Sequence, residues 1–383
     1  MKRWPILLGV LLVVTTIMAV TLLPQKQSGA RSELIAVPAP QGDFERAEGI
    51  REFRFPEDFG PHDGFQTEWW YYTGNLTDEE GHDFGYQLTF FRRALQPLNE
   101  QIARQSDLAV EQVYLAHFTV TDVEADTFMY WERIARGSAG LAGATGDPYQ
   151  VWLYDWQVQQ QKDGSYALQG SQGNVSLRLE LHAEKGPVLQ GDRGYSRKGE
   201  QTGNASYYFS QTRLTANGVL EINGQTHEVQ GTSWMDHEFS TSALSAGQVG
   251  WDWFSIQLDS GEELMVYTIR REDGSIDPFS NGTIIALDGS TIPLSKGDFQ
   301  VEIVDQWTSP HSGANYPAGW VLGIPEQGLR IEIEPFIADQ ELQVSYTYWE
   351  GAVRVTGEWN GRPVSGRGYV ELTGYAGSMA GQF

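Results

Sequence analysis

An all-β chain built in two halves is predicted by three observations. Val, Thr, Tyr, Trp and Ile are plentiful, while Ala/Leu/Glu/Lys runs that favour helices are scarce. Dipeptides that tight hairpins select recur at strand-length intervals: Asp163-Gly164, Asn217-Gly218, Asn223-Gly224, Asp273-Gly274, Asp288-Gly289 and Asn360-Gly361. The 383 residues exceed one ordinary small domain, and a small-residue-rich stretch at 240–250 splits the body into comparable parts. The expected divisions are 1–30 as an export signal or anchor, 31–60 as a linker, 61–245 as a first domain and 246–383 as a second.

Lys2 and Arg3 precede an apolar run from Trp4 to Leu23, and Ser28-Gly29-Ala30 has the small-x-small form of a cleavage site. The run is also long enough to stay as a membrane anchor. Either way the body is expected outside the cytoplasm, periplasmic or tethered to the inner membrane. From Glu68 to Leu76 the residues read as a strand, and Gly85–Arg93 pairs with it as a hairpin with Tyr86, Leu88 and Phe90 on one face. Val113–Val123 alternates, with His117 on the face opposite Tyr114 and Phe118. Residues 94–112 form the one plausible helix. Later strands are expected at Gly250–Leu258, Glu262–Arg271, Gly328–Pro335, Ser345–Trp349 and Gly368–Leu372.

The 50 acidic side chains outnumber 26 basic ones, for a net charge of −24. A nucleic-acid backbone would be repelled, so no nucleic-acid partner is expected. Cysteine is absent, which excludes disulfides, thiolate metal sites and a Cys nucleophile. The seven His are scattered without H-x-x-x-H spacing, and no metal is expected. There is no G-x-S-x-G, no P-loop and no dinucleotide fingerprint, so no cofactor is expected either.

Three aromatic and acidic clusters remain. In Glu68-Trp69-Trp70-Tyr71-Tyr72, four consecutive rings cannot share one face of a strand, so this strand should be covered on both faces. The choice is between ordinary core and one wall of an aromatic cavity. In Thr232–Phe239, Trp234, Asp236 and Glu238 share a face while His237 points away. A Trp beside a half-buried acid raises its pKa by desolvation and makes Asp236 a candidate proton donor. Alternatively Asp236 or His237 is locked in a structural pair. In Gly250–Phe254, Trp251 and Trp253 face together with Asp252 opposite, either as interdomain packing or as cavity wall.

Taken in order, Glu68–Leu76, Phe84–Phe91, Tyr114–Asp122, Gly194–Lys198, Ser206–Arg213, Gly231–Glu238, Gly250–Phe254, Tyr348–Gly351 and Gly368–Tyr375 resemble a known family. It groups carotenoid 1,2-hydratases (hydroxyneurosporene synthase, CrtC) with AttH-like exported proteins. The resemblance implies two consecutive lipocalin-like antiparallel β-barrel domains packed together, and an apolar or amphipathic ligand. It also implies an essential Asp with nearby aromatic and His residues, matched here to Asp236 and His237 with Asp252 as a rival. Glu68, Trp70, Tyr72, His117, Trp234, Trp251, Asp252 and Trp253 are the expected ligand-facing residues. Two functions follow as expectations. One is a periplasmic carrier for an apolar or lipid-like molecule, serving an ABC-type transport system. The other is a cofactor-free hydratase or isomerase using a buried carboxylic acid; an envelope protein with self-filled barrels is a third.

Overall fold

The computed structural model describes residues 43–100, 111–241 and 244–380. The apolar run of residues 4–23, and with it the export signal or anchor, lies outside the described residues. So do residues 101–110 of the expected helix; in its described part Ala94 ends the strand Asp83–Ala94, Leu98–Glu100 make a single 3-10 turn, and Gln112 opens the strand Gln112–Asp122.

Two antiparallel sheets account for the body, giving the all-β, tandem lipocalin-like architecture. The first runs from β1 (Thr67–Asp78) through β2 (Asp83–Ala94), β3 (Gln112–Asp122), β4 (Thr127–Arg136), β5 (Ala142–Gly146), β6 (Tyr149–Leu153) and β7 (Trp156–Gln160). It continues with β8 (Tyr166–Gln172), β9 (Val175–Ala183), β10 (Val188–Leu189), β11 (Tyr195–Arg197), β12 (Ala205–Ile222) and β13 (Gln225–Ser240). Its order is β4-β3-β2-β1-β13-β12-β9-β8-β7-β6-β5, with β10 and β11 on the flank of β12. The second sheet comprises β14 (Gln248–Leu258), β15 (Glu263–Arg271), β16 (Asn281–Ile285), β17 (Thr291–Ser295) and β18 (Gln300–Thr308). The rest of it is β19 (Asn315–Ile324), β20 (Leu329–Pro335), β21 (Glu341–Gln343), β22 (Thr347–Trp359) and β23 (Arg362–Leu372). Its order is β17-β16-β15-β14-β23-β22-β20-β19-β18, with β21 beside β22.

The first sheet curls until β6 and β7 face β2–β4, where the Trp156 ring meets Phe118 edge-on at 5.6 Å. Its interior is filled by its own side chains. Trp70 donates its indole N–H to the Phe59 carbonyl at 2.9 Å, and the Tyr72 and Tyr149 hydroxyls meet at 2.8 Å. Residues 43–60, within the expected linker, are part of this body. Phe53, Phe55 and Phe59 crowd around Phe209, with ring centroids 4.9–5.9 Å away.

β1 is covered on both faces, as its unbroken aromatic run requires. Glu68, Trp70, Tyr72 and Leu76 point into the first barrel, while Trp69 and Tyr71 meet the second sheet. This inter-sheet layer is polar as well as aromatic: Tyr71 and Gln87 both donate to Glu350, and Asn75 donates to the Gly368 carbonyl. The sheets touch closely at Gly85, where a Cβ would lie 2.5 Å from that of Ala352. Of the hairpin dipeptides, Asn217-Gly218 is not a turn. It lies inside the long β12, where Gly218 lets the Arg178 carbonyl of β9 approach closer than a side chain permits.

Candidate functional site

A cavity of about 130 Å³ lies between the two sheets, outside either barrel interior. Its aromatic wall includes Trp69, Tyr71, Tyr208, Trp251, Trp253 and Tyr267. The antiparallel register of β1 and β13 sets Tyr71 opposite Asp236 and Trp69 opposite Glu238, so these four share the cavity face. Trp253 from the second sheet meets the Tyr71 ring edge-on at 5.2 Å.

Three carboxylates and one amine enter this aromatic space: Asp236 and Glu238 from β13, Glu371 from β23, and Lys198. Among the described residues Asp236 has only neutral donors. It accepts from the Tyr208 hydroxyl at 2.7 Å, the Ser210 hydroxyl at 2.5 Å and the Trp234 indole N–H at 2.7 Å. Tyr208 in turn accepts from the Trp253 indole at 3.1 Å. Burial pushes the Asp236 carboxyl up to about 7 despite the three hydrogen bonds, and the Glu238 charge adds to the rise. Glu371 keeps a partly exposed edge but lies between the sheets, accepting from the Trp251 indole at 2.7 Å. Burial pushes it to about 7 as well, helped by the charges of Asp236 and Glu238. Lys198 lies 3.1 Å from Glu238 and over the Tyr267 ring at 4.1 Å.

Of the residues expected from sequence, Asp236, Trp251 and Trp253 line the cavity, and Trp234 holds Asp236 from beside it. His237 does not tune Asp236. Alternation along β13 turns it into the first barrel, where its Nε2 lies 2.8 Å from Glu68 Oε1. Glu68 is therefore the partner of His237, His62 and Arg92, at 2.8, 2.8 and 2.9 Å, and not a cavity residue. Trp70 and Tyr72 are also barrel core, being one residue out of phase with the cavity face of β1. His117 lies elsewhere between the sheets, with its Nδ1 2.6 Å from the Tyr348 hydroxyl and its Nε2 3.2 Å from Glu132. Asp252 faces away from the cavity, taking Arg270 at 2.9 Å and Tyr375 at 3.0 Å.

Trp69 and Tyr71, with Tyr208, Tyr267, Lys198, Glu238 and Glu371, are among the cavity residues that the sequence reading left unassigned. Pairing β1 with β13 in register would have found the first two, because Tyr71 and Asp236 then share a face. The scattered His also meet in space: His62 with His237 around Glu68, and His82 with His227 around Asp78.

A family model described as AttH-like matches residues 46–375. The chain is similar to the crystal structure of an AttH protein from Nitrosomonas europaea, with 34% identity over 85% of this chain and 97% of that one, at a TM-score of 0.76. It shares its fold with kievitone hydratase from Nectria haematococca, at 16% identity over 88% of this chain and 99% of that one, with a TM-score of 0.64. No curated protein matches the chain.

Proposed function

The chain belongs to the AttH-like family, and from that premise and the cavity between its sheets we propose a cofactor-free acid–base catalyst that adds water to a carbon–carbon double bond. The observation that carries this reading is Asp236, a buried carboxyl near 7 that is held by neutral donors alone and faces indole and phenol rings. Such a group keeps its proton close to neutral pH and still releases it readily. In this reading Asp236 transfers its proton to one alkene carbon. The cation left on the neighbouring carbon faces the aromatic wall. Water adds there while Glu371 takes the proton that the water loses, and exchange between the two carboxyls resets the pair. Lys198, beside Glu238, is placed to receive a polar group of the ligand.

Size narrows the ligand. A cavity of about 150 Å³ holds benzene, so about 130 Å³ suits one ring or one five-carbon isoprenoid unit. A long polyene would enter by its end alone. A carrier has no evident use for two carboxyls raised toward 7 in its cavity, which is why catalysis is preferred over carriage. The shared fold of kievitone hydratase supports the architecture only; the chemistry is argued from this chain's own residues. An extracytoplasmic location, cleaved or anchored, belongs to the same proposal and rests on Lys2, Arg3 and the apolar run after them.

The test is incubation of the folded protein with a panel of isoprenoid and phenolic alkenes in ¹⁸O-water, read by mass spectrometry. Labelled alcohol is expected with the natural chain, falling by about 10²-fold or more in Asp236→Asn and Glu371→Gln. Yields from both variants equal to that of the natural chain would remove the acid–base assignment. A ligand retained unchanged by natural and Asn chains alike would establish carriage in its place.

A further inference from the structure

A second cluster lies apart from the cavity, where the hairpins β1–β2 and β12–β13 end side by side. Asp78 closes β1, His82 lies in the turn before β2, and His227 is near the start of β13, two residues from the register partner of Asp78. Asp78 Oδ2 lies 2.8 Å from His227 Nδ1 and 3.1 Å from His82 Nδ1. From this geometry we infer that Asp78, His82 and His227 form a binding site for a divalent transition-metal ion of the zinc type. The ligand set is two imidazoles and one carboxylate, the outer face remaining open to water.

Each ligand is oriented in advance. The other Asp78 oxygen, Oδ1, accepts the backbone N–H groups of Glu80 at 3.0 Å and His82 at 2.8 Å, which fixes the direction of Oδ2. Glu124 lies 2.8 Å from His82 Nε2. A carboxylate there keeps the proton on Nε2 and leaves Nδ1 as the metal-facing lone pair, the outer-shell arrangement common to metal-bound imidazoles. The His227 ring rests against Phe84 with centroids 5.0 Å apart. The Asp78 side chain is fully buried, His227 is 18% exposed and His82 37%, so the carboxylate forms a floor and the imidazoles a rim that an ion reaches from solvent.

Charge separates this cluster from the similar one at His62, Glu68 and His237. There Arg92 sits on Glu68 and Arg51 on Asp58, at 2.9 and 2.6 Å, so guanidinium groups already neutralise the carboxylates. Among the described residues neither Asp78 nor Glu124 pairs with a Lys or Arg, and a dication would supply the missing positive charge. The ion would bridge two hairpins and tie their ends together.

The test is titration of the full chain, stripped by chelator, with Zn²⁺ against a coloured competitor, and with Co²⁺ followed by its visible absorption. One equivalent of Zn²⁺ should bind the natural chain. Affinity should fall at least tenfold in His82→Asn and His227→Asn, and about 10-fold in Glu124→Gln. His182→Asn, at an exposed His–Glu pair elsewhere, should bind like the natural chain. Zn²⁺ should also raise the melting temperature of the natural chain but not of His227→Asn. His82 is at the surface, so its variant serves if far-UV circular dichroism shows His227→Asn misfolded. No stoichiometric binding by the natural chain, or binding by both His variants as tight as that of the natural chain, overturns the site.

Discussion

Glu68 and Asp236 are two buried carboxylates on neighbouring strands, and they have opposite proton affinities. Glu68, on β1, points into the first barrel; burial alone would raise its carboxyl, but the Arg92 charge and the hydrogen bonds of His237 and His62 hold it well below 4.5. Asp236, on β13, points into the inter-sheet cavity, where a phenol, a hydroxyl and an indole donate to it and, among the described residues, no cation does. Its carboxyl is pushed up to about 7. The difference teaches that burial raises both carboxyls and does not alone decide the charge of these two. Between them, the cationic partners of Glu68 tip the balance.

The largest effect should come from breaking the charged side of that pair. Glu68→Gln removes the nearest anion of the buried Arg92 guanidinium, at 2.9 Å, leaving it Asp63 at 3.7 Å and leaving the His62 ring Asp58 at 3.0 Å. It should cost about 3–5 kcal/mol of stability in chemical denaturation. An effect below 1 kcal/mol would mean that water reaches Arg92. The natural chain carries the matching pH signature. The Glu68 contribution is complete above 4.5, its ordinary value, and is lost as pH falls through the lowered folded value.

Asp236 has the reverse sign. Between 3.8 and about 7 the folded chain holds a proton that the unfolded chain has released, so the contribution of this group to stability falls as pH rises through that window. The carboxyl's rise from 3.8 to about 7 corresponds to on the order of 4 kcal/mol between pH 4 and pH 8. Asp236→Asn should remove that slope. Subtracting its denaturation profile from that of the natural chain should expose it, whereas parallel profiles would show Asp236 ionised at pH 4.

The smallest effect sharpens the comparison further. Tyr208→Phe removes one of the three neutral donors to Asp236 and leaves the Trp253 indole without its acceptor. Stability should fall by about 1 kcal/mol, and the Asp236 carboxyl should rise further. A fall in its pKa would show that Tyr208 favours the protonated form.

Strand alternation made one half of the site legible. In Trp234-Met235-Asp236-His237-Glu238 it separated the cavity face from His237, and in Trp251-Asp252-Trp253 it placed Asp252 on the far side. On β1 the same rule could not choose between Trp69 with Tyr71 and Trp70 with Tyr72. Both faces are buried under aromatic neighbours, and only the register with β13 tells them apart. Lys198 and Glu371 reach the cavity from positions far away in sequence, which no local pattern joins to Asp236. The expected aromatic cavity lies between the two sheets, while Trp70, Tyr72 and Tyr149 fill the first barrel themselves. At Asn217-Gly218 a turn signal marked a close strand-to-strand contact instead.

Infrared difference spectroscopy of the natural chain against Asp236→Asn reads the protonation of this one carboxyl directly. A protonated-acid carbonyl band should be present at pH 5, absent from the variant, and titrate away with a midpoint near 7. A carboxylate at position 236 that is already ionised at pH 5 would contradict the account.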